Sequence, residues 1–239
     1  MNPARFIYIL TIPCSVNIMV ETPVIIVNYK TYSQSVGKKA VELTKTIEEY
    51  AEVHWIVCPQ LADLRMVSEE TEVPVMAQHV DGIGPGSNTG HVLCETVKEA
   101  GAVGTLINHS ENRLKLSDIE KIVQICKEKG LTTIVCANNP KVAASAAVFD
   151  PDFVAYEPPE LIGGDISVST AKPEVVAEAV REVKSVNEEV GVLCGAGVKD
   201  GEDVKKAMEL GTEGVLLASG LVKSEVPVEV IKDLESGLY

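Results

Sequence analysis

Aromatic residues are scarce in this chain of 239 residues: one Trp, three Phe and six Tyr, or 4% of the total. Too few are present to build a stacking platform for nucleic-acid bases. Basic residues are also outnumbered. Lys and Arg total 21 against 35 Asp and Glu, giving a formal net charge of −14. A surface of that sign repels polyanions and argues against nucleic acid or an anionic membrane as a partner. No apolar run approaches the roughly 20 residues of a membrane-spanning helix. The run from Phe6 to Ile12 is stopped by Pro13, and no small-x-small cleavage site follows it. The six cysteines, Cys14, Cys58, Cys94, Cys126, Cys136 and Cys194, contain no CxxC pair. A zinc ribbon or a thioredoxin-type site therefore has no support, and the six read as reduced, mostly buried thiols of a cytosolic protein. The glycine-rich loop Gly82–Gly90 lacks the third glycine of GxGxxG and the Gly-Lys-Ser/Thr of a P-loop. It reads as a turn-rich interface loop.

What is present is a folding sequence, 46% hydrophobic and 23% charged. Residues 1–18 read as an extension outside the fold, with Met19 as the natural initiator. The melting temperature of a chain begun at Met19 tests that expectation. Residues 19–239 read as one domain, because no linker or shift in composition divides them. From residue 24, short β-branched runs alternate with amphipathic stretches. Strands are expected over 24–27, 53–58, 73–77, 103–107, 131–136, 153–156, 191–194 and 214–217. Helices are expected over 37–51, 61–70, 91–100, 117–129, 141–147, 173–187, 200–210 and 227–235. Ser117 is the expected N-cap of its helix, with Glu120 completing a capping box and Gly130 ending the helix. Asp200 is expected to cap another, which Gly211 ends.

Strands that are apolar on both faces imply a parallel sheet covered by helices. A closed (β/α)8 barrel and an open doubly wound sheet both fit, and the even count of eight favours the barrel. A dinucleotide-binding sheet needs glycines directly after its first strand. Here that place is taken by Asn28-Tyr29-Lys30-Thr31.

A barrel puts its chemistry at the C-terminal ends of its strands. Strand one ends in Asn28 and Lys30, strand four in Asn108-His109-Ser110-Glu111, and strand six in Glu157. Strands seven and eight end in Gly195-Ala196-Gly197 and Ala218-Ser219-Gly220. Singly, each is an ordinary loop residue. Together they bring an amine, an imidazole and a carboxylate to one mouth, beside two turns small enough for backbone N–H groups to approach a phosphate. That set suits proton abstraction next to a carbonyl in a sugar phosphate.

These residues resemble the triosephosphate isomerase family. Asn28-Tyr29-Lys30 is similar to its N-x-K motif. Asn108-His109-Ser110-Glu111-Asn112-Arg113 is similar to its N/G-H-S-E-x-R, and Ala155-Tyr156-Glu157-Pro158 to its A-Y-E-P. Order and spacing match over about residues 22–239, and three motifs in register are far more specific than one glycine pattern. The Glu-Pro-Pro-Glu-Leu-Ile-Gly-Gly stretch is most similar to the archaeal branch, whose members are short and tend to be tetramers. The sequence departs from the family in three loops. Pro159, Glu160 and Leu161 stand where the lid usually has a tryptophan, Gly195-Ala196-Gly197 replaces Gly-Gly-Ser, and Thr89-Gly90 is followed by His91 rather than Glu. These changes leave the chemical groups intact and fall on the usual dimer contacts.

The resemblance implies a single-domain α/β protein, a (β/α)8 TIM barrel, that interconverts dihydroxyacetone phosphate and D-glyceraldehyde 3-phosphate in glycolysis and gluconeogenesis. It implies Glu157 as the base, His109 as the neutral imidazole that is this family's known electrophile, and Lys30 as the fixed positive charge. Asn28 would donate a hydrogen bond to substrate. Backbone N–H groups around Ile162, Gly164, Gly197, Ala218 and Ser219 would hold the phosphate, under a lid from Pro158 to about Val168. Glu111 would buttress the site or pair with Arg113 or Lys30. No metal or organic cofactor is implied. A cytoplasmic homo-oligomer is, with a tetramer favoured over a dimer. Two rivals remain: another phosphate-binding barrel, which would not need Lys30, His109 and Glu157 in these motifs, and a catalytically dead barrel kept for binding.

Overall fold

Runs of Val and Ile buried on both faces satisfy their backbone only by pairing along both edges, and a closed sheet leaves no edge unpaired. The computed structural model describes residues 20–158 and 172–239. The extension expected at residues 1–18, and Cys14 with it, lies outside them. The strands are β1 (Val24–Asn28), β2 (His54–Cys58), β3 (Val75–Ala77), β4 (Ala102–Ile107), β5 (Thr132–Ala137), β6 (Phe153–Tyr156), β7 (Gly191–Cys194) and β8 (Gly214–Leu217). Each pairs in parallel with the next, and β8 returns to β1 to close the barrel. In that last pairing Val24 stands opposite Gly214 and Val27 opposite Leu217.

The helices among the described residues are α1 (Lys38–Tyr50), α2 (Leu64–Glu70), α3 (Cys94–Glu99), α4 (Leu116–Glu128), α5 (Pro140–Ala147), α6 (Pro173–Val186), α7 (Gly201–Glu209), α8 (Ser219–Val222) and α9 (Pro227–Ser236). None is long and apolar enough to cross a membrane. The alternation of side chains along each strand makes two cores. Val24, Ile26, Ile56, Met76, Leu106, Ile134, Phe153, Ala155, Leu193 and Leu216 fill the barrel interior. Their outward neighbours, among them Ile25, Val27, Ile107, Val135 and Val192, pack under the helices. Cys58, Cys94, Cys126, Cys136 and Cys194 are free, buried thiols.

The expected elements are present, with differences that tertiary bonds explain. The capping box at Ser117 and Glu120 does not form. Helix α4 starts at Leu116 after an extended Lys115, with no side-chain cap. The Leu114 N–H is held by Asn108 Oδ1 at 2.9 Å, so the chain leaves that tether directly into the helix and Ser117 is already inside it. At the other end Gly130 has φ +68, and the N–H groups of Gly130 and Leu131 reach back to the carbonyls of Lys127 and Cys126. That is the paired bond pattern of a glycine-ended helix. Helix α3 is shorter than the expected 91–100 because Val92 pairs with Asp81 through both its N–H and its C=O. Strand β3 starts after Pro74, which lacks an N–H but accepts from Val57 at 3.1 Å. Asp200 caps α7 as expected, accepting from the Asp203 N–H at 2.9 Å.

The barrel floor is locked by one carboxylate. Glu235 in α9 is 5% exposed, and its Oε1 accepts from the N–H groups of Glu52 and Val53 and from Trp55 Nε1, at 2.8, 3.2 and 2.7 Å. Three donors satisfy a buried charge, and removing the acceptor would orphan all of them. Glu235→Ala is therefore expected to lose about 3 kcal/mol. In a chain of this length that is a fall in Tm of roughly 6–12 °C. Glu235→Gln keeps an oxygen in place and should lose less. Thermal denaturation measures both, and an unchanged Tm in the Ala variant would contradict this reading of the floor.

Candidate active site

The inward rows of side chains continue past the ends of the strands. Counting by twos from the interior layer leads from β1 to Asn28 and Lys30, from β6 to Glu157, from β7 to Gly195 and Gly197, and from β8 to Ala218. All of them line one cleft at the mouth of the barrel, together with His109 and Ser219. The structure thus gathers every described residue expected to touch substrate. Ile162, Gly164 and the lid after Pro158 lie outside the described residues.

Asn28 is 4% exposed, and its Oδ1 accepts from the Lys30 N–H at 2.9 Å. Its Nδ2 has no partner among the described residues and is the group left to donate. Lys30 has φ +48, a left-handed conformation that strains a non-glycine residue and that folds retain mainly at functional sites. Gln78 holds it there: its Nε2 donates to the carbonyls of both Lys30 and Cys58, at 3.0 and 2.9 Å. The Lys30 ammonium pairs with Glu111 Oε1 at 2.9 Å. Of the expected roles for Glu111, the pair with Lys30 is the one formed. The Glu111 side chain is 60% exposed, so the pair contributes little to stability.

His109 is buried. The Glu111 N–H donates to its Nδ1 at 3.2 Å, so Nδ1 carries a lone pair and the ring proton sits on Nε2. Glu111 Oε2, at 3.7 Å from Nδ1, is beyond hydrogen-bond reach. The Nε2 side faces Glu157, with Oε1 3.5 Å away. Glu157 is 4% exposed, and its Oε2 has no hydrogen-bond partner among the described residues. Buried carboxylate oxygens are normally satisfied, so an open one in a cleft marks a place kept for a ligand. Burial first, and then the adjacent Glu157 carboxylate, push the Cys136 thiol well above its usual range. The thiol therefore stays protonated and inert beside the carboxylate.

At the far wall Gly197 has φ +72, and β8 runs into the four-residue α8 with no side-chain cap on its first turn. In sequence this segment is a plain turn of small residues. An extra helix after the eighth strand is a barrel-level feature without a local signature. Nor does any sequence pattern mark Tyr32, which lines the cleft and carries the Lys223 ammonium 4.3 Å from its ring centroid. For Gln78, a polar residue one position past β3 was the available signal, and only the fold shows that it reaches Lys30.

The fold and the cleft define a class: a (β/α)8 barrel carrying an imidazole, a lysine and an open carboxylate at the C-terminal mouth, beside small-residue turns on β7 and β8. Comparison with known proteins narrows it. The family model described as triosephosphate isomerase matches residues 23–234. The chain is 53% identical over 213 residues to the triosephosphate isomerase of Methanocaldococcus jannaschii, covering 88% of this chain and 97% of that protein. It is 54% identical over 217 residues to that of Methanothermus fervidus, covering 90% and 98%. With that of Methanobrevibacter smithii it shares 49% over 221 residues, covering 91% and 100%. The chain belongs to the triosephosphate isomerase family of enzymes, and these relatives are all archaeal.

Gly195 gives the geometry a direct test. A Cβ there would lie 2.5 Å from Glu157 Cγ and 3.3 Å from the Tyr156 carbonyl oxygen. Gly195→Ala should push the Glu157 side chain out of place, and a misplacement of about 1 Å costs on the order of 10²-fold in rate. Steady-state kinetics on the folded variant measure it, and wild-type kcat would show that the carboxylate position is not critical.

Proposed function

We infer that this protein interconverts dihydroxyacetone phosphate and D-glyceraldehyde 3-phosphate by proton transfer through an enediolate, serving glycolysis and gluconeogenesis. The observation that carries the reading is the buried carboxylate of Glu157, whose Oε2 has no partner among the described residues and whose Oε1 lies 3.5 Å from the Nε2 of His109. Glu157 takes the proton from carbon 1 of dihydroxyacetone phosphate and returns it to carbon 2. His109 donates from Nε2 to the carbonyl oxygen, stabilising the charge that develops there, and takes up the proton of the carbon 1 hydroxyl in exchange, so that one hydrogen moves from one oxygen to the other. Lys30 and the Nδ2 of Asn28 add fixed positive potential to the same oxygens. The phosphate rests on backbone N–H groups at Gly197, Ala218 and Ser219, joined by those of Ile162 and Gly164. Neutral donors suit a dianion without further cations. A lid over the site would exclude water and protect the enediolate from loss of phosphate.

The enzyme acts as a homo-oligomer in the cytoplasm, a tetramer rather than a dimer. Its likeness to archaeal relatives supports the assembly, and the five described cysteines, free and buried, support the compartment. Sedimentation should find about four times 25.6 kDa, and a dimer or a monomer would refute the assignment. For the chemistry, a coupled assay of glyceraldehyde 3-phosphate conversion is decisive. Glu157→Gln keeps the shape and removes the base, so kcat should fall by about 10²–10⁴-fold with the fold intact. Turnover at the wild-type level in that variant would remove Glu157 from the mechanism.

A further inference from the structure

His109 is the one catalytic group that the strand alternation puts on the wrong side. Along β4, Leu106 points into the barrel and Ile107 out under the helices. Continued by twos, that pattern turns residue 108 inward and residue 109 outward. Instead His109 lines the cleft. The change of side falls at Asn108, which has φ +60. A left-handed residue at a strand end breaks the pleat, and after glycine the residue types that adopt it most readily are Asn and Asp.

The Asn108 side chain does more than tolerate that conformation. It is 6% exposed and bonded at both ends. Nδ2 donates to the Cys136 carbonyl at 2.9 Å, tying the end of β4 to β5. Oδ1 accepts from the Leu114 N–H at 2.9 Å, closing the loop that carries His109. Arg113 donates to the Asn108 carbonyl at 3.4 Å. Within this closed loop the Glu111 N–H meets His109 Nδ1, and the Asn112 N–H meets the His109 carbonyl at 2.8 Å. One strand over, the Glu157 N–H is held by the carbonyl of Ala137, the residue after Cys136, at 2.7 Å. One amide therefore sets both the loop of the imidazole and its register against the strand end that holds the base.

We propose that Asn108 is a positioning residue: its left-handed backbone turns His109 into the cleft, and its two side-chain bonds fix the imidazole with Nε2–H toward Glu157. This rests on the isomerase reading above, and the test separates the two. Asn108→Gly keeps the backbone conformation and removes both bonds. Asn108→Asp keeps the acceptor for Leu114 and loses the donor to Cys136. The Gly variant should lose about 10-fold in kcat with KM for triose phosphate within about twofold, and the inhibition constant of inorganic phosphate should not change. The Asp variant should fall between it and wild type, and it stands in for the Gly variant if that fails to fold. Nitrogen-correlated NMR of the His109 ring, assigned with His109→Gln, gives a readout independent of activity. Wild type should show the Nε2–H tautomer, and Asn108→Gly a mixture of tautomers. Wild-type kcat in both variants overturns the proposal. So does a loss shared with KM while the ring signal stays unchanged, since that is general loosening. A wild-type protein with no isomerase activity would refute the functional reading instead, and the ring signal would still decide the role of Asn108.

Discussion

The closure of the sheet between β8 and β1 is the constraint on which the rest of the molecule depends. There the Val24 N–H donates to the Glu213 carbonyl at 3.2 Å, and the strands run in register to Val27 and Leu217. The approach is so close that a Cβ on Gly214 would stand 2.2 Å from the Val24 carbonyl oxygen. Closure gives every strand two partners and every inward side chain a wall opposite. It also fixes the span of the mouth. Lys30 and Asn28 on one strand end, His109 on another and Glu157 on a third can face a molecule of three carbons only if the ring between them cannot open.

From that frame the chemistry follows by alternation. The apolar residues that fill the interior lead, two at a time, to the polar residues at the mouth, so packing of the core and aim of the site are the same fact. Where alternation fails, at His109, the left-handed backbone of Asn108 corrects it. Lys30 and Asn108 both adopt left-handed conformations, and each is held by side-chain amide bonds, from Gln78 and from Asn108 itself. The sign of the site is local too. A chain of net charge −14 binds an anion only through groups close to it. Exposed carboxylates farther than about 8–10 Å are largely screened by salt, whereas in the proposed site Lys30 and the backbone N–H groups would act at contact distance.

Much of this was legible in the sequence, for identifiable reasons. Strands such as Val24–Asn28 and Phe153–Tyr156 announce themselves through continuous β-branched and apolar runs, and the residue ending each run is the one that reaches the mouth. Asp200 capped its helix as its sequence context indicated. The Ser117–Glu120 box carried an equally good local signature and failed, because a bond from Asn108 to Leu114, made across the loop, fixed where the helix begins. Asn139, which caps α5 by accepting from the Val142 N–H, was overlooked in front of a proline. Gln78 and Tyr32 are illegible because their partners, Lys30 and Cys58 for one and Lys223 for the other, are far away in the chain, and the four-residue α8 because it is too short to carry a periodic pattern.

The account rests on a carboxylate that moves a proton and exchanges it with solvent between removal and return. Following the isomerisation of dihydroxyacetone phosphate by the wild-type protein in D2O tests this most directly. Deuterium should appear at carbon 2 of the glyceraldehyde 3-phosphate formed and at carbon 1 of recovered dihydroxyacetone phosphate. Rapid isomerisation with no deuterium in either position would contradict a base that exchanges the proton with solvent between its removal and its return.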